Sequence, residues 1–432
     1  MRVAVVGAGL AGLAATCQLA GNGHEVVLLE RSRLLGGKAT SFSVDGVEVD
    51  NGQHVHLGCC TEYLDFVVSL GMGAALWTQP RFEVTVLRPG QRPSRLRAWR
   101  ALPASLTILP SFARYAPLGV RARLEVVAAL RHLDEPVDRA ETFAAWLDRH
   151  RQGPEALANF WNVFVVPALN AEVDDVAAAD ALFVLRTAFG GDAGAAAVGW
   201  SRVPLARIAE AAAGRAAVVR TRTSVTGLVV EGSRVRGVRC ASGEEVGADA
   251  VVLALPPARL AALLGDADAH GVAGLDRFRS RAIVDVHLWF DTVDAGLTFA
   301  AIAGSPVQWV FQKRPGYLCC SLSAADAIVA RPEAELVELC RAEVAAAWPR
   351  LASVRLLRGA ATRDPEATFV PAPGLVRPGP RTALPNLVIA GSWTDTGWPA
   401  TMESAVRSGR AAAAALAVAP DAALPELAVA RG

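Results

Sequence analysis

Gly7, Gly9 and Gly12, set in Gly7-Ala8-Gly9-Leu10-Ala11-Gly12, and Glu30 eighteen residues further on are the residues whose types and spacing most directly suggest chemistry. Glycines so spaced let a backbone turn tightly and approach a pyrophosphate. A carboxylate about twenty residues later accepts hydrogen bonds from an adenosine ribose. The elements that would position them are legible around them. Arg2-Val-Ala-Val-Val6 is a short β-branched apolar run suited to a buried parallel strand, and Glu25 to Leu29 is a second one ending at Glu30. Between them, Leu13 to Ala20 is helix-compatible and is closed by Gly21 and Gly23. Gly7 then permits the turn, Gly9 the close approach and Gly12 tight helix–strand packing. The N–H groups around Ala8, Leu10 and Ala11, with the positive end of the helix dipole, would face the phosphates. Strand, glycines, helix, strand and acid in one register favour a dinucleotide site over an ordinary glycine turn.

The following residues narrow the nucleotide. Arg31-Ser-Arg-Leu-Leu-Gly36-Gly37-Lys38-Ala39 resembles the ERxxxxGG[RK] extension of glutathione-reductase-type and amine-oxidase-type flavoproteins. That resemblance implies FAD, with Gly36, Gly37, Lys38 and Ala39 packed beside its pyrophosphate and ribityl chain. Lys38 stands where Arg is usual, which keeps the charge and loses the bidentate fork. After a strand from Thr40 to Val44 and a turn at Asp45-Gly46 comes Val49-Asp-Asn-Gly52-Gln53-His54. Alone it reads as a polar turn; after the preceding motif it resembles the segment that lays backbone beside the isoalloxazine ring. Arg222 to Val230 and Arg234 to Arg239 read as strands paired across Glu231-Gly232-Ser233. The resemblance gives Val225 to the adenine. Ala250 to Pro257 would return the chain to the nucleotide domain. Leu387 to Gly391 would deliver it to Ser392-Trp-Thr-Asp-Thr-Gly-Trp-Pro-Ala-Thr401, then to a helix from about Pro399 to Leu416 with Pro399 first. Gly391, Ser392, Pro399, Ala400, Thr401 and Met402 are thereby expected at the flavin, where a helix N-terminus favours the reduced anion. Ser392 replaces the family's usual acidic residue. No Cys occurs from Ala383 onward, so non-covalent FAD is expected.

The expected fold is α/β: a Rossmann-type FAD-binding domain of the glutathione-reductase-like, amine-oxidase type, with a second α+β substrate domain carrying a helical, apolar portion. The FAD-binding domain is discontinuous, at 1–80, 205–264 and 382–432. The substrate domain takes 81–204 and 265–381. Within it, strands are expected at Phe82 to Leu87, Ala282 to Phe290, Val307 to Phe311, Tyr317 to Ser321 and Val354 to Ala360, and a helix at Glu333 to Trp348. Leu102 to Asp148 is mostly helical in pattern, interrupted by Pro103, Pro110, Pro117 and Pro136. Its apolar piece from Ser105 to Gly119 reads either as core helix or as an interfacial membrane contact.

Asp50 to Gly58, Phe160 to Asn170, Phe189-Gly-Gly191 and Trp393 to Glu403 together resemble the squalene-associated FAD-dependent family, the hydroxysqualene dehydroxylases, relatives of phytoene desaturases in the flavin-containing amine oxidase superfamily. The resemblance implies reductive removal of an allylic hydroxyl from a long isoprenoid. Such chemistry needs an apolar channel, an acid beside the ring, hydride from flavin N5, aromatic faces for positive charge and an electron donor to recharge FAD. His54 or Asp395 would be the catalytic acid, Asp395 alternatively capping its loop. Trp161, Phe164, Trp289, Trp309, Trp393 and Trp398 are the candidate aromatics, each alternatively plain core. A carotenoid-type desaturase or isomerase would use the same fold in the opposite redox direction. An amine oxidase would want a Lys near N5 and a Tyr-rich cage. Only Lys313 lies in the substrate region, in a Gln-Lys-Arg-Pro-Gly setting that reads as a turn, and there are only 3 Tyr. A prenyl-binding carrier on a decayed nucleotide site is opposed by the intact Gly7, Gly9, Gly12, Glu30 and Gly37.

Composition sets the outer limits. The 432 residues exceed one core, and 52% apolar with 20% charged residues excludes a disordered chain. A net charge of +1 removes the electrostatic case for nucleic-acid binding. The mean hydropathy of +0.31 is high, yet no stretch approaches the ~20 uninterrupted apolar residues of a membrane span. The 7 Cys lack metal-site spacing, no metal is expected, and free thiols suit a reducing cytoplasm. A cytoplasmic protein with peripheral contact to a membrane surface is the expectation.

Overall fold

The strand Arg2–Val6 lies in the middle of a five-stranded parallel sheet in the computed structural model, which describes residues 1–44, 46–99, 101, 107–190, 193–291 and 298–417. The order is Val218–Arg220, Glu25–Leu29, Arg2–Val6, Ala250–Leu253, Leu387–Ile389. Three distant parts of the chain therefore build one sheet. Val3 and Val5 enter the core on one face, Ala4 and Val6 the core on the other. A strand buried on both sides has no polar face, which is why the run reads as continuously apolar. On one face the helix Leu10–Gly21 packs against the helix Met402–Ala417. An added Cβ at Gly409 would come 2.1 Å from the Ala11 carbonyl oxygen, so the two backbones all but touch. Much of the Ala-rich composition is spent here, on Ala11, Ala14, Ala15, Ala412 and Ala413.

A second, seven-stranded sheet runs in the order Leu356–Phe369, Ser280–Phe290, Tyr317–Leu322, Trp309–Arg314, Phe299–Ile302, Glu83–Leu87, Ser94–Arg97. Along its longest interior strand, side chains alternate strictly. Ala282, Val284, Val286, Leu288 and Phe290 meet the helix Glu333–Ala347 through Leu336, Cys340 and Val344. Asp285, His287 and Trp289 point the other way, the face on which Phe311, Tyr317 and Cys319 join the core of the helical portion. Ser94–Arg97 and Phe299–Ile302 were not expected from sequence. Both have only four residues, and the first is arginine-rich.

The helical portion includes Leu109–Phe112, Val120–Leu130, Phe143–Arg149, Asn162–Leu169 and Ala178–Leu185. It settles how the apolar piece from Ser105 to Gly119 is used. Ser105 and Leu106 lie outside the described residues. Thr107, Ile108, Phe112, Tyr115 and Leu118 are all buried, and the Tyr115 hydroxyl donates to the Asn159 carbonyl at 2.7 Å. The large apolar side chains described in this piece are core, while Ala113, Arg114 and Ala116 remain exposed. A buried Phe stabilises by about 1.5–3 kcal/mol, which a surface position would forfeit. Among the described residues no helix is long and apolar enough to cross a membrane.

Candidate active site

The glycine loop distinguishes what the protein needs from what a ligand would need. Gly7 has φ +100°, and a Cβ there would lie 2.4 Å from the Ala254 carbonyl oxygen. A Cβ at Gly12 would lie 1.9 Å from the Gly7 oxygen. Both glycines are demanded by the fold. Gly9 is different: its φ of −72° is ordinary, and an added Cβ would find no neighbour nearer than the Gly37 Cα at 4.0 Å. What Gly9 keeps clear is space outside the protein, in front of a helix whose first turn has no acidic residue and whose N-cap makes no side-chain bond. That is an anion cradle of pyrophosphate type. Gly36 closes its side by donating to the Ala8 carbonyl at 2.8 Å, and Ala39 is buried behind it.

Glu30 ends the second strand as expected. Its carboxylate accepts from the N–H groups of Ala8 and Ser32, each at 2.8 Å. The Thr223 N–H reaches the Glu30 carbonyl at 2.8 Å, which brings the segment carrying Val225 to the same end of the sheet. Val225 itself is half-buried. Arg31 is exposed. Lys38 departs from expectation: its ammonium leaves the glycine loop for the carboxylate of Asp364, at 3.0 Å, and the Glu366 carbonyl. The residues present thus fit the pyrophosphate and ribose of a dinucleotide without a contribution from Lys38.

The closing segment differs from the sequence reading in its start. The helix is Met402–Ala417, with Pro399 buried in the loop before it. Thr401 is the N-cap, since its hydroxyl accepts from the Ser404 N–H at 3.1 Å; Pro399 is not the first helical residue. Glu403, fully buried, caps a neighbouring helix instead, accepting from the N–H groups of Glu62 and Tyr63 and pairing with Arg407. The loop Ser392 to Ala400 is held by a residue that sequence reasoning missed. Arg377 donates to the carbonyls of Ser392 at 2.9 Å, Trp393 at 3.1 Å, Trp398 at 2.6 Å, and Thr394. Burial presses its guanidinium pKa down from the ordinary value, with the carboxylates of Asp180 and Asp395 opposing. Gly391 and Ser392 lie at the start of this loop, where the Gly391 N–H donates to Ser408 at 2.9 Å. Ala400 is half-buried near its end. Asp395 is exposed and its carboxylate accepts from the Gly397 N–H at 3.4 Å. It caps the loop, and the structure does not bring it to the polar cluster described next.

That cluster forms where Asp50 to His54 meets the seven-stranded sheet. Asp50 accepts from the Ser41 hydroxyl at 2.7 Å and the Leu205 N–H at 3.0 Å, and pairs with Lys313 at 3.0 Å. Burial alone would raise the Asp50 pKa, but Lys313 and these donors outweigh it and hold the carboxyl below its usual value. Lys313 is therefore not in a turn; it lies on the strand Trp309–Arg314, and the turn is the Pro315-Gly316 that follows. Asp285 comes so close to the glycine segment that a Cβ at Gly52 would lie 2.9 Å from its Oδ2. Its Oδ1 accepts the Gln53 N–H at 3.2 Å. Burial pushes the Asp285 pKa up to about 6, against the pull of Ser321, Gln53 and Lys313. His54 bonds Asn51 Oδ1 at 3.2 Å, and burial lowers its pKa below the ordinary histidine value. His287, also lowered by burial, to about 4, bonds the Tyr317 hydroxyl at 2.7 Å.

Several polar atoms here are buried without a protein partner: both amide atoms of Gln53, Nε2 of His287, and the indole nitrogens of Trp289 and Trp309. Buried polar groups in folded proteins are otherwise almost always paired, so a ligand surface is the natural complement. From this cluster an aromatic wall extends, with Trp289 on Tyr317 at 5.3 Å; beyond it Phe299 and Phe311 lie 5.8 Å apart, and Trp309 and Trp200 each lie 5.9 to 6.2 Å from both. Trp161, Phe164 and Trp393 are core, Trp393 donating to the Leu255 carbonyl at 3.0 Å. Trp398 packs on Phe183 at 5.2 Å, with the Arg407 guanidinium over its ring. Asn170, in the Pro-Ala-Leu-Asn motif, is structural: it bonds the Arg281 carbonyl, Thr368 and the Ala324 N–H. Asp285, with His287, could have been noticed as a polar break in the apolar run Ala282 to Phe290. Arg377 carried no sequence signal.

Comparison with known proteins agrees with this geometry. The model of the flavin containing amine oxidoreductase family matches residues 10–417. A hydroxysqualene dehydroxylase from Rhodopseudomonas palustris is 30% identical over 95% of this chain and 97% of its own, and one from Sinorhizobium fredii is 29% identical with the same coverage. A 15-cis-phytoene desaturase from Synechococcus elongatus is 24% identical over 96% of both chains. Among solved structures, cyclohexylamine oxidase from Brevibacterium oxydans superposes with a TM-score of 0.69 at 18% identity, over 96% of this chain and 98% of that one, a likeness of fold. With a dinucleotide cradle of the right form and a family match over nearly its whole length, the chain belongs to the flavin containing amine oxidoreductase family.

Proposed function

We propose that this protein holds FAD non-covalently and uses it to remove the allylic hydroxyl of a hydroxysqualene-class isoprenoid, giving squalene and water. When bound and reduced, FAD supplies the hydride. The observation that carries the reading is Asp285: a buried acid with a raised pKa, set between the Gly52-Gln53 backbone and a wall of aromatic rings. With Oδ1 accepting the Gln53 N–H, its proton belongs on Oδ2, the oxygen against Gly52. From there it protonates the leaving hydroxyl, the C–O bond breaks, and water departs. Trp309 and the neighbouring rings of the wall keep solvent away from the allylic cation, while Trp289 and Tyr317 each already carry a guanidinium over one face, Arg358 at 4.7 Å and Arg314 at 4.9 Å. The hydride that bound, reduced FAD would supply completes the balance at that carbon, and solvent returns the proton to Asp285. A separate electron donor must then recharge the flavin. His54, with its lowered pKa, is uncharged at neutral pH and serves the site by position. The similarity to hydroxysqualene dehydroxylases over nearly the full chain supports this substrate class.

The test is anaerobic. Dithionite-reduced holoprotein mixed with hydroxysqualene is expected to yield squalene as the flavin regains its oxidised absorbance. Flavin that stays reduced beside bound substrate would overturn the reading. The desaturase alternative, favoured by the 24% identity to a phytoene desaturase, predicts the reverse: oxidised protein reduced by a polyene precursor.

The FAD part is tested separately at Gly9. Gly9→Val is expected to leave the apoprotein folded, with its melting temperature within about 2 °C, because an added Cβ there meets no protein atom nearer than the Gly37 Cα at 4.0 Å. Purified Gly9→Val should contain no flavin. Gly12→Val, whose Cβ would strike the Gly7 carbonyl, should fail to fold. Flavin retained at full stoichiometry by Gly9→Val would displace the pyrophosphate from this loop.

A substrate this apolar resides in lipid, so the protein is inferred to work at a membrane surface, on the cytoplasmic side where its seven thiols remain free.

A further inference from the structure

We infer that the outer face of the helix Val120–Leu130, with Trp99 and the arginines around it, is a docking surface for an anionic lipid bilayer. The inference rests on the isoprenoid reading above for its purpose, and on three independent observations for its location.

The first is charge. From Arg88 to Arg131 the sequence carries nine Arg and a single acidic residue, Glu125. This stretch sums to +8 in a chain whose total is +1, so the other residues sum to −7. Carboxylates beside it are few: Glu83 lies 3.7 to 4.0 Å from Arg81, Arg95 and Arg97 together, Glu125 pairs with Arg121 at 2.9 Å, and Glu155 accepts the Gly119 N–H at 2.9 Å. The nine arginines of the stretch outnumber these three carboxylates, so a net positive charge remains.

The second is exposed apolar surface on the same stretch. Val120 and Leu124, one turn apart on one side of the helix, are 70% and 65% exposed, and Trp99 is 44% exposed with the Arg97 guanidinium 5.4 Å from its ring centre. On the opposite side of the helix Ala122, Val126 and Ala129 are buried. Arg121, with a side chain 94% exposed, flanks Val120. Aliphatic tips, an amphipathic indole and long cationic side chains are the composition of a helix lying in a lipid interface.

The third is continuity. Arg123 hands its guanidinium to the Leu118 and Ala113 carbonyls, Ser111 bonds Arg97 through both backbone groups, and the Trp99 N–H donates to Thr107. These bonds join the helix, the preceding turn and the Trp99 segment into one surface. Directly beneath it, Ile108, Phe112, Leu118, Ala122 and Val126 belong to the same apolar core that reaches Phe311, Trp309 and Trp289. The surface that would meet lipid and the wall that would meet the isoprenoid are two sides of one apolar body.

The occupant is a bilayer with negatively charged headgroups, each arginine near it strengthening partition by about fivefold at low salt. The experiment uses full-length holoprotein and large unilamellar vesicles, of phosphatidylcholine alone or equimolar with phosphatidylglycerol, in a flotation assay. Binding is expected to be at least tenfold tighter to the anionic vesicles and to weaken with added salt. Val120→Asp with Leu124→Asp should cut it at least tenfold, and Arg114→Glu with Arg121→Glu should do so independently. Flavin content, melting temperature and turnover of detergent-dispersed substrate should remain as in the unaltered protein. Equal binding to both vesicle types, or undiminished binding by both variants, would overturn the proposal. So would a dimer in solution that the variants dissociate, since the face would then belong to a second copy. The assay reads lipid binding without turnover, so failure of the dehydroxylation reading would show in the flavin experiment and leave this result unaffected.

Discussion

Asp285→Asn is expected to slow single-turnover dehydroxylation by about 10²–10⁴-fold while flavin content and melting temperature stay unchanged. Asparagine keeps the shape of the side chain and its bond to the Gln53 N–H, and loses only the transferable proton. The pH dependence gives the second, sharper readout. An acid must carry its proton to act, so activity present below its pKa declines as pH rises through it. With the Asp285 pKa raised to about 6 by burial, the rate of the unaltered protein should decline above about pH 6. That limb should be missing in Asp285→Asn. Asp285→Glu retains an acid at a displaced position and should recover part of the rate together with the limb. His54→Gln, by contrast, is expected to cost less than about tenfold, since a histidine whose pKa burial has lowered holds no proton to give near neutrality. An unaltered rate in Asp285→Asn would assign the proton elsewhere.

The other large effect is expected at Arg377. Its guanidinium spans the carbonyls of Ser392, Trp393, Thr394 and Trp398, four groups spread over the loop that leads into the closing helix. Only a planar, five-donor cation satisfies them together; an ammonium has three donors and no fork. Removing it leaves partly buried carbonyls without partners, each worth about 1–3 kcal/mol when unsatisfied. Arg377→Ala should therefore lower stability by about 3–5 kcal/mol and yield protein with little or no bound flavin. Arg377→Lys should rescue solubility more than flavin content, because the charge returns without the geometry. Thermal melting with and without added FAD separates the two outcomes: a loop merely loosened is restored by excess cofactor, through mass action. Full flavin occupancy in Arg377→Ala would show that the loop holds its form without the arginine.

What the sequence disclosed and what it hid follow from the range of the interactions concerned. Gly7 and Gly12 are legible because their requirement is local: Gly7 has φ +100°, and a Cβ at Gly12 would collide with the Gly7 carbonyl oxygen five residues back. Glu30 follows from the same unit. The interior strand of the second sheet was also legible, as a run of β-branched and aromatic residues. Its chemistry was not. Asp285 becomes an acid beside Gly52 only because strands hundreds of residues apart are folded together, 232 positions separating it from Gln53. Lys313 read as part of a turn because Pro315-Gly316 is so near, yet it ends a strand and meets Asp50 from another part of the chain. Pro399 suggested a helix start, but the Thr401 hydroxyl competes better for the first free N–H groups. The apolar run ending at Gly119 carried no mark to tell a membrane face from a core, because hydropathy is the same for both.

The alternation along Ser280–Phe290 has a further consequence, for design. Even-numbered positions secure the sheet to its covering helix; odd-numbered ones furnish the acid, the imidazole and the first ring of the wall. The two sets face different neighbours, so changes at 285, 287 and 289 fall first on the site and changes at 282, 284, 286 and 288 first on the packing of the covering helix. A laboratory seeking a new substrate for the scaffold would randomise those same three and leave their neighbours alone.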